Sequence, residues 1–148
     1  MDRDPAAGDA TIEILDKIGA YRARANQFLE NAAKFSEKKE LEKASEFAWG
    51  AIASLINGIV LLYTGQAKFD HRSLVNEGEE IAKALEDQRL GRAISTVGER
   101  LHANYYHGFI NEVAFREDFA EIVYAASRLE QVLEGEVLSR LFQHSASG

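Results

Sequence analysis

The sequence contains no cysteine, and in 148 residues it has a single proline, one methionine and one tryptophan. Without cysteine there is no disulfide framework, no thiolate metal site and no cysteine nucleophile, which suits a reducing, cytoplasmic setting. The one proline is Pro5, so nothing later in the chain breaks a helix by removing a backbone donor. No segment alternates cleanly with period two, and the one Asn-Gly pair, Asn57-Gly58, lies inside a helical apolar run and not between two alternating segments, so strands are not expected. Positive charge is also scarce. Seventeen Lys and Arg against 24 Asp and Glu leave a net charge of −7, which argues against a broadly basic nucleic-acid clamp. It leaves room for a local cluster of Arg and His. Long hydrophobic runs are missing too. The most apolar stretch, Ala51 to Tyr63, is 13 residues with Ser54 and Asn57 inside it, whereas a bilayer span needs about 20. The opening "MDRDPAAGDA" lacks the apolar core of a signal peptide. The expectation is a buried helix and no membrane partner.

Hydrophobic residues at 46% and charged residues at 28% describe an ordinary globular chain with a core of its own. One domain over residues 9–142 is predicted, with flexible tails at 1–8 and 143–148. The hydrophobic period is helical throughout. Ile14, Ile18, Tyr21, Ala25, Phe28, Ala32 and Phe35 form one stripe of a first helix, ending near Phe35. Ser36 is placed to cap a second helix running to Thr64 and stopped by Gly65, with Leu41, Ala44, Ala48, Ala51, Leu55, Gly58 and Leu62 on its stripe. From Phe47 onward its other faces are apolar as well, which makes it the central helix. Gly50, Ala51, Ser54 and Gly58 would let a neighbouring backbone come close. Ser73 opens a third helix, and a fourth starts near Gly91 or near Thr96, whose spacing to Glu99 is that of a capping box. Asn111 caps the last long helix, with Phe115, Phe119, Ile122, Ala126, Leu129 and Leu133 on one face. The fold class is all-α, an antiparallel up-and-down bundle of four to five helices.

The reactive side chains gather in "RLHANYYHGF", Arg100 to Phe109. On a helix, Ile94, Val97, Leu101 and Tyr105 define a core face. His102 and His107 lie about 140° apart around the axis, which excludes joint ligation of a metal from a straight helix. Glu99 and His102 have the E-x-x-H spacing of di-iron bundles, but only one copy exists, and the central helix adds only Glu40, Glu42 and Glu46 near its start. No metal and no other cofactor is expected. Arg100, Asn104 and His107 form a second stripe at i, i+4 and i+7. An Arg can hold a phosphate through its planar fork, and a nearby His can move a proton near neutral pH. Those are the two tasks of metal-free RNA cleavage. The plainer alternative pairs Arg100 with a carboxylate such as Glu121 and leaves His107 to end a helix, favoured by its dipole.

Four segments in succession carry a resemblance: "WGAIASLINGIVLLYTG", the loop with His71 followed by Leu74, "ERLHANYYHGF" and "FREDFAEIVYAASRLEQVLE". Together, over about residues 30–135, they resemble the HEPN superfamily, and most of all its archaeal PaREP branch. The resemblance implies an up-and-down bundle, usually a homodimer. Catalytic HEPN proteins carry Arg, four to six residues, then His, and act as metal-independent ribonucleases. Arg100 and His107 have six residues between them, and Asn104 corresponds to the polar residue often found inside that motif. Arg100 is followed by Leu101, where nuclease members tend to have a polar residue. RNA or a nucleotide is the implied ligand, and a small nucleotidyltransferase the implied partner protein. His71, with Lys68 and Arg72, offers a phosphate contact, or else His71 only hydrogen-bonds where the third helix begins. The competing function is a non-catalytic homodimeric module that binds a partner protein or small ligand, with Trp49 in the core or the dimer interface. In that reading Ala51→Leu or Gly58→Leu breaks the assembly.

Overall fold

A computed structural model describes the backbone of residues 5–147 and the side chains of residues 11–141. Its elements are α1 (Pro5–Glu37), α2 (Leu41–Thr64), α3 (His71–Ala84), α4 (Gln88–Arg92), a π-helical turn (Ala93–Val97), α5 (Gly98–His107) and α6 (Glu112–Ser147). No strand occurs among the described residues. The protein is an all-α bundle. Helix extends further at both ends than the hydrophobic period predicts, taking in Pro5 to Gly8 and His144 to Ser147. Residues 1–4 and 148 of the expected tails lie outside the described residues.

The helix ends are set by local hydrogen bonds, and three differ from the sequence expectation. Ser36 lies inside α1 and does not cap α2. Lys39 takes the left-handed conformation (φ 63°), its N–H donates to Ser36 O, and the Glu40 N–H donates to Phe35 O. That pair of hydrogen bonds closes α1 as a Schellman motif and satisfies two of its last carbonyls. Asp70, not Ser73, caps α3, accepting from the Ser73 N–H at 3.0 Å. Asp87 caps the fourth helix by accepting from the Leu90 N–H at 2.9 Å, so that helix begins before both Gly91 and Thr96. Arg92, Ala93, Val97 and Gly98 all keep right-handed helical dihedrals. α4, the π turn and α5 are therefore one continuous helix with a single widened turn, and Thr96 sits exposed inside it. Gly65 (φ 76°) and Asn111 end α2 and begin α6 as predicted.

α2 is the central helix, packed by α1, α3, α5 and α6. By length and composition it could cross a membrane, but 72% of its most apolar window is buried inside the bundle. Ile18, Ala25 and Ala32 of α1, Ile52, Leu55 and Ile56 of α2, Ile94 and Leu101, and Ile122, Leu129 and Leu133 of α6 form the core. The small residues of α2 admit side chains where close backbones were expected. A Cβ on Gly58 would stand 3.0 Å from Leu133 Cδ2, and Ala51 is fully buried within the same chain. Substituting either position therefore tests the packing of one bundle, and says nothing specific about assembly.

Candidate functional site

Arg100, Asn104 and His107 do share one side of α5, but they are engaged very differently. The Arg100 guanidinium forks onto Asp118 of α6, with Nε donating to Oδ2 at 2.7 Å and the second nitrogen donating to Oδ1. Asp118 is 5% exposed, while the Arg100 side chain keeps 43% of its surface. A bidentate fork to a buried carboxylate is the strongest form of this pair. The carboxylate expected for Arg100, Glu121, is instead held by Arg89 at 3.0 and 3.2 Å. Asp118 lies in the inner stripe of α6 with Phe115 and Ile122, all three buried, and the Arg100 side chain reaches it there.

Asn104 is 1% exposed and belongs to the scaffold. Its Nδ2 donates to Ser45 Oγ at 2.9 Å, and its Oδ1 accepts from the Ile110 N–H at 2.8 Å. Ser45 in turn donates to Leu41 O at 2.7 Å. The carboxamide thus ties the first turn of α2 to the turn that follows α5. His107 is exposed in the last turn of α5, just before Gly108 takes the left-handed conformation. It stands seven positions after Arg100, about 10 Å further along the helix axis.

The loop residues do not gather. Lys68 is half-buried, and its backbone N–H donates to Asn57 Oδ1 at 2.7 Å. Arg72 points into solvent from the first turn of α3. His71 turns the other way, toward α5. Its Nε2 bonds the Glu99 carboxylate, and its ring stacks on His102 with centroids 4.0 Å apart and planes 11° apart. Trp49 lies 4.7 Å from the His71 ring, and Tyr106 packs edge-on to His102 at 5.4 Å. Burial, then the neighbouring His71, pushes the His102 pKa below its ordinary value, against a smaller upward pull from Glu99. Glu99, His71 and His102 are therefore close, yet no group of described residues has the arrangement of a metal site. Imidazole lone pairs lie in the ring plane, so two stacked rings aim theirs in parallel and cannot converge on one ion.

Beside this stack is a hollow of about 310 Å³ between α1, α2 and α5. Phe28, Phe47, Trp49, Phe69, Tyr105 and Tyr106 supply its aromatic lining, with Glu46 and His102 as its ionisable groups. Tyr105 was expected in the core; it is 37% exposed and lines this open hollow. Trp49 is a core residue at 7% exposure, and its ring lies against Gly98, where a Cβ would stand 2.7 Å from Cζ3. A separate hollow of about 420 Å³ on the α4–α6 side is lined by Arg89, Arg92 and Arg100 with Glu117, Asp118 and Glu121. The sequence reading did not single out Asp118, Ser45, or the contact of His71 with His102. Asp118 had a signal, since it is an acid standing in the apolar stripe of α6. The His pair had none, because 31 residues separate its members.

A family model described as the archaeal PaREP1/PaREP8 family matches residues 20–129. No curated protein and no solved structure matches the chain.

Proposed function

The chain belongs to the archaeal PaREP1/PaREP8 family, and from that premise we propose a non-catalytic binding module built on a HEPN-type bundle whose Arg–His motif has become scaffold. The observation that carries this reading is the engagement of the motif. Arg100 is forked to a buried Asp118, and Asn104 is sealed by Ser45 and the Ile110 N–H. Asp118 already takes the Nε–Nη fork of Arg100 and balances its charge, so a scissile phosphate could not be clamped by that fork unless Asp118 were left buried and unpaired, a cost of several kcal/mol by order of magnitude. Of the three, only His107 is exposed without a side-chain partner among the described residues, and one His without a positioned phosphate clamp does not constitute a nuclease site.

Homodimerisation is part of the proposal. Phe109 and Val113 stand more than half exposed at the turn from α5 to α6, an apolar corner suited to a second copy. Light scattering of Val113→Ser should then report a shift toward monomer.

A second reading, RNA-directed cleavage in trans with Arg100 and His107, is favoured by the arginine-lined hollow, where Arg92 is exposed and has no ion pair among the described residues. One experiment separates the two. The protein, His107→Ala and Arg100→Ala are incubated with single-stranded RNA in excess chelator. The binding-module reading expects no cleavage by any of them. Cleavage by the parent that is lost in His107→Ala would overturn it in favour of the nuclease.

A further inference from the structure

We propose that the aromatic hollow beside Trp49 is a binding site for a small organic ammonium cation, of the quaternary or alkylated amine class. The inference rests on the binding-module reading and gives that module a ligand chemistry. Three features of the hollow point the same way.

Its lining is aromatic to an unusual degree. Phe28 of α1, Phe47 and Trp49 of α2, Phe69 of the following loop, and Tyr105 and Tyr106 of α5 come from four separate parts of the chain to surround one space. Aromatic faces carry the negative side of the ring quadrupole, so rings grouped around a cavity attract a cation without forming an ion pair. Phe69 is 85% exposed and Tyr106 66% exposed at the mouth. Leaving two rings in water is unfavourable unless something covers them part of the time.

The charge is one-sided. Glu46, on the exposed side of α2, is the carboxylate of the lining, and no Lys or Arg belongs to it among the described residues. His102 does not supply a cation at neutral pH, since burial and His71 favour its neutral form. A phosphate or carboxylate ligand would meet only negative or neutral groups here. A cation meets a carboxylate within a lining of six aromatic residues, on a protein whose net charge is −7.

The size fits a compact ligand. A volume of about 310 Å³ is at the lower end of small-molecule sites, which run from roughly 300 to 1,000 Å³. Gly50 helps to make the space, because a Cβ there would stand 2.9 Å from Phe28 Cδ2 and would force that ring out of place. A trimethylammonium group is weakly hydrated for a cation, so desolvating it in such a cage is inexpensive compared with a primary amine.

The test uses the single tryptophan as reporter. The full chain is titrated with choline chloride, with 3,3-dimethylbutanol as the neutral isostere and with sodium chloride as the ionic control, following Trp49 emission and heat by calorimetry. Saturable binding of choline, with the isostere at least tenfold weaker, is the expected result. Glu46→Gln should weaken choline about fivefold through loss of a near-surface charge, and Tyr106→Ala about threefold through loss of one exposed ring. Both positions are exposed, and an unchanged urea midpoint would confirm that each variant folds. Equal binding of choline and its isostere would overturn the proposal by showing a merely apolar hollow. No saturable binding at millimolar choline would overturn it as well, and so would tighter binding in Glu46→Gln. Chelator-resistant RNA cleavage that needs His107 would refute the binding-module reading while leaving the choline result to stand or fall alone.

Discussion

Replacing Asn104 by Ala should destabilise the bundle by about 2–4.5 kcal/mol, and the sum can be followed atom by atom. The Ile110 N–H, buried with its residue at 8% exposure, loses its acceptor, and an unsatisfied buried donor costs about 1–3 kcal/mol. Ser45 keeps its own bond to Leu41 O but loses the donor it received from Asn104, a smaller loss of about 0.5–1 kcal/mol. Removing the carboxamide from a residue 1% exposed leaves a void beside α2, worth on the order of 1 kcal/mol. Alanine's better helix propensity returns about 0.5 kcal/mol. For a chain of this size the drop in Tm is about 5–15 °C. The assay is a urea titration at neutral pH followed by circular dichroism, with Ser45→Ala as the milder companion at about 1 kcal/mol. A loss below about 0.5 kcal/mol for Asn104→Ala would refute the reasoning. It would mean that Asn104 is free for chemistry and does not belong to the frame.

Three other outcomes follow from the same geometry. Arg100→Ala should cost about 1–3 kcal/mol, less than a fully buried pair because Arg100 is partly exposed, and adding Asp118→Ala should restore part of that loss in a double-mutant cycle. For His102, the folded-state pKa lies below the unfolded value, so its contribution is fully present at high pH, where the ring is neutral in both states. That contribution is lost as pH falls through the ordinary His range near 6.5, when the unfolded chain takes up the proton first. The urea midpoint should therefore drop between pH 7.5 and 5.5, and His102→Gln should flatten that part of the curve. Gly98→Ala puts a Cβ 2.7 and 2.8 Å from two ring carbons of a buried Trp49. Overpacking of about 1–3 kcal/mol should exceed the roughly 1 kcal/mol gained in helix propensity, with a change in tryptophan emission.

The sequence by itself determined that this protein is helical, that α2 is its centre, and which faces turn inward, with Tyr105 and Asn104 of α5 as exceptions. Those properties follow from the 3.6-residue period, the absence of internal proline and the run of apolar residues after Phe47, all of which are local in the chain. The same local rules located Gly65 and Asn111 as helix ends, because αL glycine and Asn capping act within four residues. They misplaced the starts of α2, α3 and the fourth helix. At each, a competing local bond won: a Schellman turn at Lys39, and Asp caps at Asp70 and Asp87.

Only the tertiary structure decided what the side chains of α5 do. Periodicity tells which way Arg100, Asn104 and Tyr105 point, but not what stands opposite. Asp118 stands opposite Arg100, Ser45 opposite Asn104, and an uncovered hollow opposite Tyr105. A polar residue at a core phase, such as Asp118 beside Phe115 and Ile122, shows in the sequence that a buried partner must exist, whereas Asn104 stood on the reactive stripe and only the fold shows it buried. The identity of that partner depends on packing between segments 18 or 59 residues apart, and no spacing rule reaches across such distances. The aromatic hollow is the extreme case. Its rings come from three helices and a loop, each ordinary in its own segment, and only the folding of α1, α2 and α5 around one space makes them a site.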